Sequence, residues 1–333
     1  MVDTSRAVMA LAAAALLYAA AGVCLLRLCI QWLRRRSASS PAPPPEEERA
    51  AKPPSRLVRI GRWTERAVLV IAAIGILCMA YGRLVEPFWP QVERVRIETG
   101  KLPAGARPVR LVLIADTHSD PAPRLEPRLP EIIAPLAPDA IVFAGDALNE
   151  IEGLPHFKAC MRRLSRLAPT FAVLGNWDVW WFEGTDFFGG TGVRELDGEA
   201  ARVVAGESEV WIVGAAVENE PALLPALEKV PRGRFTVLVH HYPETVDMMA
   251  GWSADLLLAG DTHGGQVRLP LVGPLVRISR YGRYRDIGLH RVGKTWLYIN
   301  RGVGMEGGRA PRVRFRCRPE ITLIEIAPGE GRR

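Results

Sequence analysis

Five short apolar runs recur between residues 109 and 261, and each ends in a polar residue. They are VRLVLIAD (109–116), AIVFAGD (140–146), TFAVLGN (170–176), FTVLVHH (235–241) and ADLLLAGD (254–261). Runs of this length, bounded by turn-forming residues, are typical of buried β-strands. Amphipathic helices are predicted at 153–168, 221–230 and 243–250, and further strands at 285–300 and 319–327. Strands that alternate with helices predict an α/β layered domain over residues 107–327.

Two other apolar runs lie nearer the start of the chain. Residues 7–26 carry no charge, and 20 helical residues rise about 30 Å, which matches a bilayer core. Residues 67–82 form a shorter run, which a snorkelling Arg83 extends to Val85. A signal peptide is the alternative for the first run, and a buried core helix is the alternative for the second. The predicted order is a transmembrane helix (1–33), a basic cytoplasmic linker (34–66), a second transmembrane helix (67–85) and a connector (86–106).

The distribution of basic residues predicts which side of the membrane each segment occupies. The formal net charge is +7, and nine Arg or Lys residues face only four Glu residues between Arg34 and Arg66. Positively charged loops stay in the cytoplasm, so a multi-pass cell-membrane protein with two spans and an extracytoplasmic catalytic domain is expected. Because the basic residues lie beside apolar runs and not on a nucleic-acid-binding module, no nucleic-acid partner is expected. The chain has 5 Cys residues but no CxxC pair and no disulfide framework.

The ends of the five predicted strands carry metal-binding residue types. In open α/β sheets, ligands bind at the carboxyl ends of the strands. Oxygen and imidazole donors together suit divalent first-row metals, and seven candidates are enough for two ions if one carboxylate bridges them. The candidates are Asp116, His118, Asp146, Asn176, His241, Asp261 and His263.

In this order, the strand-end motifs resemble the calcineurin-like metallophosphoesterase superfamily. The motifs are DTH (116–118), GD (145–146), GNWD (175–178), HHYPE (240–244) and GDTHGGQ (260–266). The GDTHGGQ stretch and the tail after residue 300 are similar to a membrane-anchored bacterial branch whose usual motif is GHTHGGQ. The resemblance implies a two-sheet sandwich flanked by helices, here preceded by N-terminal transmembrane helices.

The resemblance also implies residue roles. Asp116, His118 and His263 would bind the first metal, and Asp146 would bridge to a second metal held by Asn176 and His241. Catalytic roles fall to Asp146, Asn176 and His241, and His240 is expected to be a structural neighbour. The reaction implied is hydrolysis of a phosphodiester or diphosphate by a metal-bound hydroxide.

Two residues depart from the superfamily pattern. Trp177 replaces a histidine that usually assists at the phosphate, and indole cannot transfer a proton at neutral pH. His240 and His156 are candidates to replace it. Asp261 replaces a histidine ligand of the second metal, and its carboxylate favours Mn²⁺ and leaves Mg²⁺, Fe²⁺, Zn²⁺ and Co²⁺ open. The alternative function is a catalytically degenerate membrane receptor or scaffold.

Contacts with the substrate are expected from Trp177, Gly264 and Gln266. Gly264 and Gly265 permit positive φ and a close backbone approach, and Gln266 carries an amide for a phosphate oxygen. The aromatic stretch DVWWFEGTDFFGG (178–190) has two readings, an apolar lip for a lipid-linked phosphate or ordinary packing under a loop. The expected partners are the membrane and a phosphorylated small molecule. Some members of the branch hydrolyse UDP-2,3-diacylglucosamine, a cytoplasmic lipid-linked nucleotide, in lipid metabolism.

Overall fold

The computed structural model describes residues 19–28, 30, 56–248, 252, 254–275, 286–306 and 312–329. The described chain divides into an N-terminal unit that ends at Tyr81 and a second unit that begins at Gly82.

The N-terminal unit contains the main candidate for a membrane span. Helix α1 (Arg56–Leu84) is, within the described part of the chain, the one helix long and apolar enough to cross a membrane. A shorter apolar helix covers Ala19–Leu28, and the rest of the predicted first span lies outside the described residues. Helix α1 begins 11 residues before the predicted boundary at 67, inside the predicted linker. The apolar run at 67–82 covers only the hydrophobic part of helix α1. The helix extends further toward the N-terminus, to Arg56, and arginine is a good helix former.

The second unit is built on two six-stranded sheets in which most neighbours are parallel. The first sheet has the order β1-β14-β2-β3-β4-β5. Its strands are β1 (Gln91–Thr99), β2 (Val109–Ile114), β3 (Ala140–Ala144), β4 (Thr170–Val173), β5 (Arg194–Glu195) and β14 (Glu320–Pro328). All neighbours are parallel except β14 and β2, which are antiparallel.

The second sheet has the order β12-β13-β9-β8-β7-β6. Its strands are β6 (Glu199–Ala205), β7 (Ser208–Gly214), β8 (Phe235–Val239), β9 (Leu256–Ala259), β12 (Gly288–Val292) and β13 (Thr295–Ile299). The four strands from β13 to β7 are parallel, and both edge pairs are antiparallel. A small hairpin of β10 (Arg268–Leu269) and β11 (Gly273–Pro274) stands apart.

The two sheets share one apolar core, and helices cover their outer faces. Leu111 and Val142 of the first sheet belong to the same buried cluster as Val237 and Leu256 of the second. Helices α2 (Leu129–Ile133) and α3 (Leu154–Leu164) pack on the first sheet, and α5 (Leu223–Glu228) and α6 (Thr245–Met248) pack on the second. A mixed α/β sandwich results, as the alternation of strands and helices predicted.

The segment predicted as a connector, 86–106, is part of this unit. Strand β1 pairs with β14 along its full length, from Gln91 opposite Glu320 to Thr99 opposite Pro328. The Glu86 side chain is buried, and its carboxylate accepts hydrogen bonds from the backbone N–H groups of Arg316 and Cys317. Val92, Val95 and Ile97 are the only apolar residues of β1, and β1 is an edge strand, so its sequence lacks the continuous apolar run of a central strand.

Candidate metal centre

The predicted site residues stand on strained turns at the carboxyl ends of five parallel strands. The strands are β2, β3 and β4 of the first sheet and β8 and β9 of the second. Five of the seven candidates have positive φ: Asp116 (49°), His118 (38°), Asp146 (60°), Asp261 (68°) and His263 (48°). Non-glycine residues rarely adopt this region, and such strain clusters at functional sites.

Four of these side chains form one tight, buried group. The donor atoms of Asp116, His118, Asp146 and His263 all lie within 4.8 Å of one another. His118 Nε2 lies 3.1 Å from His263 Nε2 and 3.4 Å from Asp146 Oδ2. Two imidazole nitrogens that face each other beside carboxylates form a donor set for a cation.

A second group adjoins the first through Asp146. His241 Nε2 lies 3.3 Å from Asp146 Oδ2, 3.7 Å from Asp261 Oδ1 and 4.0 Å from Asp116 Oδ1. Asn176 is the first residue of α4 (Asn176–Trp181). The backbone N–H of Trp177 donates to Asp146 Oδ1 over 3.0 Å, which brings the start of this helix to the same place.

The hydrogen-bonding pattern fits a metal at this site. His241 Nδ1 lies 2.7 Å from the carbonyl oxygen of Ala144, so Nδ1–H donates and Nε2 faces the site. Nε2 of His241, Oδ2 of Asp116 and Oδ1 of Asn176 are buried and have no hydrogen-bond partner among the described residues. Buried polar atoms normally have partners, and these three are metal-ligand types.

The pKa shifts of the clustered side chains show that they are strongly charged and poorly solvated. Burial raises the pKa of Asp116 to about 6, against the charge of His241. Burial works in the same direction on Asp146, but the charges and hydrogen bonds of His241 and His118 hold the pKa of Asp146 below its ordinary value. The pKa of His263 falls well below its usual range because of burial and of the neighbouring His118. Divalent cations bound among these groups would offset the carboxylate charge.

Asp178 is a site residue that the sequence interpretation did not assign. Its buried carboxylate accepts from three backbone N–H groups: Asp146 at 2.9 Å, Ala147 at 2.8 Å and Gly175 at 2.9 Å. Asp178 therefore ties the turn after β3 to the start of α4 and orients Asp146. An acidic residue at the third position of a helix is a capping signal, and this signal was available in GNWD.

The two proposed substitutes for the missing histidine point away from the cluster. His240 Nε2 lies 3.3 Å from Glu220 Oε1, and its Nδ1 lies 2.7 Å from Thr245 Oγ1. His156 is hydrogen-bonded through Nε2 to the carbonyl oxygen of Pro121, over 2.9 Å. Trp177 itself presents its indole to the His118 ring in a T-shaped contact, with 5.1 Å between centroids.

The glycines and the glutamine of the last motif make contacts within the protein. Gly264 has the predicted positive φ of 59°, and Gly265 has 77°. A Cβ at Gly264 would lie 2.8 Å from Cys317 Sγ, so the close approach there is made by the protein interior. Gln266 Nε2 donates to the carbonyl oxygen of Glu306 over 2.7 Å, and the expected contact of Gln266 with phosphate stays a prediction.

The aromatic stretch 178–190, which begins inside α4, has both buried and exposed aromatic side chains. Phe187 and Phe188 are buried and pack around Phe157, with ring centroids 6.4 Å and 5.9 Å away. Trp180 and Trp181 are 54% and 69% exposed, and Trp181 lies 6.4 Å from the Trp177 ring. Of these four side chains, only Trp180 and Trp181 are exposed and so could form an apolar lip beside the site.

Comparison with known proteins agrees with this geometry. The family described as calcineurin-like phosphoesterase matches residues 109–265. The uncharacterized metallophosphoesterase YkuE of Bacillus subtilis is 29% identical over 259 residues, which cover 74% of this chain and 88% of YkuE. Phosphodiesterase YaeI of Escherichia coli is 31% identical over 263 residues, which cover 74% of this chain and 92% of YaeI.

A more distant relative carries a more specific name. The UDP-2,3-diacylglucosamine pyrophosphatase LpxG of Chlamydia muridarum is 23% identical over 319 residues, which cover 78% of this chain and 95% of LpxG. All three relatives are named for action on phosphoric ester or diphosphate bonds, or as metallophosphoesterases. The chain belongs to the calcineurin-like phosphoesterase family and is a metallophosphoesterase, a hydrolase of phosphoric ester bonds.

Proposed function

We propose that this metallophosphoesterase is anchored in the membrane and hydrolyses a phosphodiester or diphosphate bond with two divalent metal ions. The observation that carries the proposal is the position of Asp146. Its Oδ2 lies 3.4 Å from His118 Nε2 and 3.3 Å from His241 Nε2. A carboxylate between two sets of donors is suited to bridge a metal pair, which clamps the attacking and leaving oxygens of the phosphoryl group.

The ligand roles follow the two groups. Asp116, His118 and His263 would hold one ion, and Asn176, His241 and Asp261 would hold the other. When bound, the ions supply Lewis-acid activation of water and stabilise negative charge on the phosphoryl oxygens. The Ala144 carbonyl fixes the His241 tautomer, and the three N–H bonds to Asp178 fix the Asp146 turn. Because Asp261 adds a carboxylate where the family usually has imidazole, Mn²⁺ is the ion that we propose.

A lipid-linked phosphodiester or diphosphate is the proposed substrate class. Trp180 and Trp181 present exposed apolar surface on the helix that begins at Asn176, where an acyl chain would find contact. The distant relative LpxG is named for a diacylated sugar nucleotide, which has the same combination of diphosphate and acyl chains. UDP-2,3-diacylglucosamine is a cytoplasmic nucleotide, so we propose it as the substrate only if the site faces the cytoplasm.

Metal-dependent turnover tests the hydrolase proposal. We expect the full-length chain, stripped with a chelator, to be inactive on bis(p-nitrophenyl) phosphate and to regain activity with divalent ions, Mn²⁺ best. The reason is that divalent ions held by the buried donor set would stabilise the negative charge of the transition state. If none of Mn²⁺, Mg²⁺, Fe²⁺, Zn²⁺ or Co²⁺ restores activity, the degenerate receptor or scaffold is the better description.

Reporter fusions test the membrane proposal. Arg59, Arg62 and Arg66 precede the apolar part of α1, so the positive-inside rule puts that end of the helix in the cytoplasm. We expect a reporter that is active only outside the cytoplasm to be active after Arg333, and also before Met1 if residues 1–33 form a first span. Activity of a cytoplasm-only reporter at the C-terminus would overturn this orientation and would make the nucleotide-linked substrate accessible.

A further inference from the structure

Arg314 is a fully buried arginine in the segment that precedes β14. Among the described residues its guanidinium makes four hydrogen bonds, and every acceptor is a main-chain carbonyl oxygen. A charged side chain is rarely buried without a charged partner, because taking its charge out of water is costly. These bonds to the backbone therefore fix the course of the chain around the guanidinium. The acceptors belong to Arg301, Gly302, Gly304 and Cys317.

Two of these bonds lead to the turn that carries Asp116. The guanidinium donates from Nε to the carbonyl oxygen of Gly304 over 2.8 Å, and from Nη2 to that of Gly302 over 3.2 Å. The N–H of Gly304 in turn donates to the carbonyl oxygen of Asp116 over 2.7 Å. A Cβ at Gly302 would lie 2.6 Å from Asp116 Cβ, and one at Gly304 would lie 2.0 Å from the carbonyl oxygen of Thr117. The two segments are in close contact, so a shift of residues 302–304 would move Asp116.

Another of the four bonds leads to the turn that carries His263. Arg314 Nη1 donates to the carbonyl oxygen of Cys317 over 3.1 Å. The buried thiol of Cys317 donates from Sγ to the carbonyl oxygen of His263 over 3.2 Å. This contact has no free space, because a Cβ at Gly264 would lie 2.8 Å from Cys317 Sγ. One side chain is thus linked to the turns of both Asp116 and His263.

We propose that Arg314 is a positioning residue of the metal centre, which holds the Asp116 and His263 turns at the separation that binds the first ion. The first ion is the one assigned above to Asp116, His118 and His263, so this inference rests on the proposed function. His263 Nε2 lies 3.8 Å from Asp116 Oδ1, and a displacement of either turn changes that distance. Arg314 is not itself a ligand, because a guanidinium has no acceptor atom.

Calorimetry with Mn²⁺ on the full-length chain tests this role. We expect the wild type to bind two ions, and we expect Arg314→Met to bind the first ion about 10- to 100-fold more weakly, the usual effect of losing a group that orients metal ligands. Affinity for the second ion should change by less than about threefold, because neither hydrogen-bonded path includes Asn176 or His241. His241→Ala removes a proposed ligand of the second ion and so shows which binding step belongs to which site.

Arg314→Lys separates position from charge. The lysine ammonium keeps the positive charge but lacks the planar fork of donors, so Mn²⁺ affinity should stay within about threefold of that of Arg314→Met. With bis(p-nitrophenyl) phosphate, both variants should need about 10- to 100-fold more Mn²⁺ for half-maximal turnover. At saturating Mn²⁺ their kcat should be within about threefold of the wild-type value, because the reacting groups themselves are unchanged.

Val203→Ala controls for a general loss of stability. Val203 is buried in β6, an edge strand that carries none of the candidate ligands. A large-to-small change in the core lowers the Tm, as the loss of the Arg314 hydrogen bonds also does. Val203→Ala should nevertheless bind both ions with wild-type affinity.

Each other outcome counts against the proposal. Wild-type Mn²⁺ affinity in Arg314→Met, or equal weakening in Val203→Ala, would make the role of Arg314 purely structural, and recovery by Arg314→Lys would assign the effect to charge. If Arg314→Met does not fold, Arg314→Lys decides by the same comparison with the wild type. A wild type that binds Mn²⁺ without hydrolysis would refute the proposed function, while the affinities still decide the role of Arg314. A wild type that binds no Mn²⁺ would refute both.

Discussion

Asp146→Ala is expected to lower kcat/KM for bis(p-nitrophenyl) phosphate by at least about 10³-fold. The substitution removes the carboxylate that lies within 3.4 Å of His118 Nε2 and within 3.3 Å of His241 Nε2, so it breaks both donor groups at once. Metal ions stabilise phosphoryl-transfer transition states by several kcal/mol, and a loss of ~4 kcal/mol corresponds to about 10³-fold in rate. The measurement is steady-state turnover with Mn²⁺ in excess, together with bound metal per chain.

The matched control removes a carboxylate far from the site. Glu207 is exposed in the turn between β6 and β7, and Glu207→Ala should leave turnover and metal content unchanged. Asp146→Ala should stay folded, because the side chain lies in the polar cluster and not in an apolar core. A variant that keeps bound metal and more than about a tenth of wild-type turnover would rule out a bridging role for Asp146.

The strand-end residues were predictable from the sequence because parallel strands impose a common edge. Five apolar runs predicted β2, β3, β4, β8 and β9, and the buried group of four comes from the residues that follow β2, β3 and β9. A residue one or two positions beyond a buried strand has little freedom, so the order of strands almost fixes its place. Their roles as metal ligands stay a prediction.

The residues that support the cluster were harder to predict because their positions depend on contacts distant in sequence. The carboxylate of Asp178 accepts from the backbone N–H groups of Asp146 and Ala147, in a turn about 30 residues earlier in the chain. The capping signal in GNWD predicts that Asp178 lies at the start of a helix, but no periodic or motif signal predicts its pairing with that turn. The sequence left two interpretations of the aromatic stretch open for a related reason. Phe188 and Trp181 are both aromatic, and only the packing of Phe188 against Phe157 of α3 distinguishes them.

Gly175→Ala is expected to inactivate the enzyme although alanine suits the local backbone. Gly175 has φ −91°, which any residue adopts, so the effect is purely steric. A Cβ there would lie 2.1 Å from Asp146 Oδ1 and 2.6 Å from the Asp146 backbone nitrogen. Ordinary van der Waals contact between this Cβ and Asp146 Oδ1 would need more than an ångström of additional separation. A 1 Å misplacement at a reacting centre can lower the rate by about 10²-fold. We expect turnover to fall by at least about 10²-fold, with weaker Mn²⁺ binding in calorimetry.

A control variant adds the same methyl group at a glycine where the structure has room for it, and so shows whether any Gly→Ala change would lower activity. Gly61 lies in α1 with nothing within 4 Å of a Cβ, so Gly61→Ala should leave turnover and Mn²⁺ affinity unchanged. Overpacking at Gly175 also costs about 1–3 kcal/mol of unfolding free energy, which should appear as a lower Tm. Wild-type turnover in Gly175→Ala would mean that the Asp146 turn moves aside without loss. The three N–H bonds to Asp178 would then not hold the geometry on which hydrolysis depends.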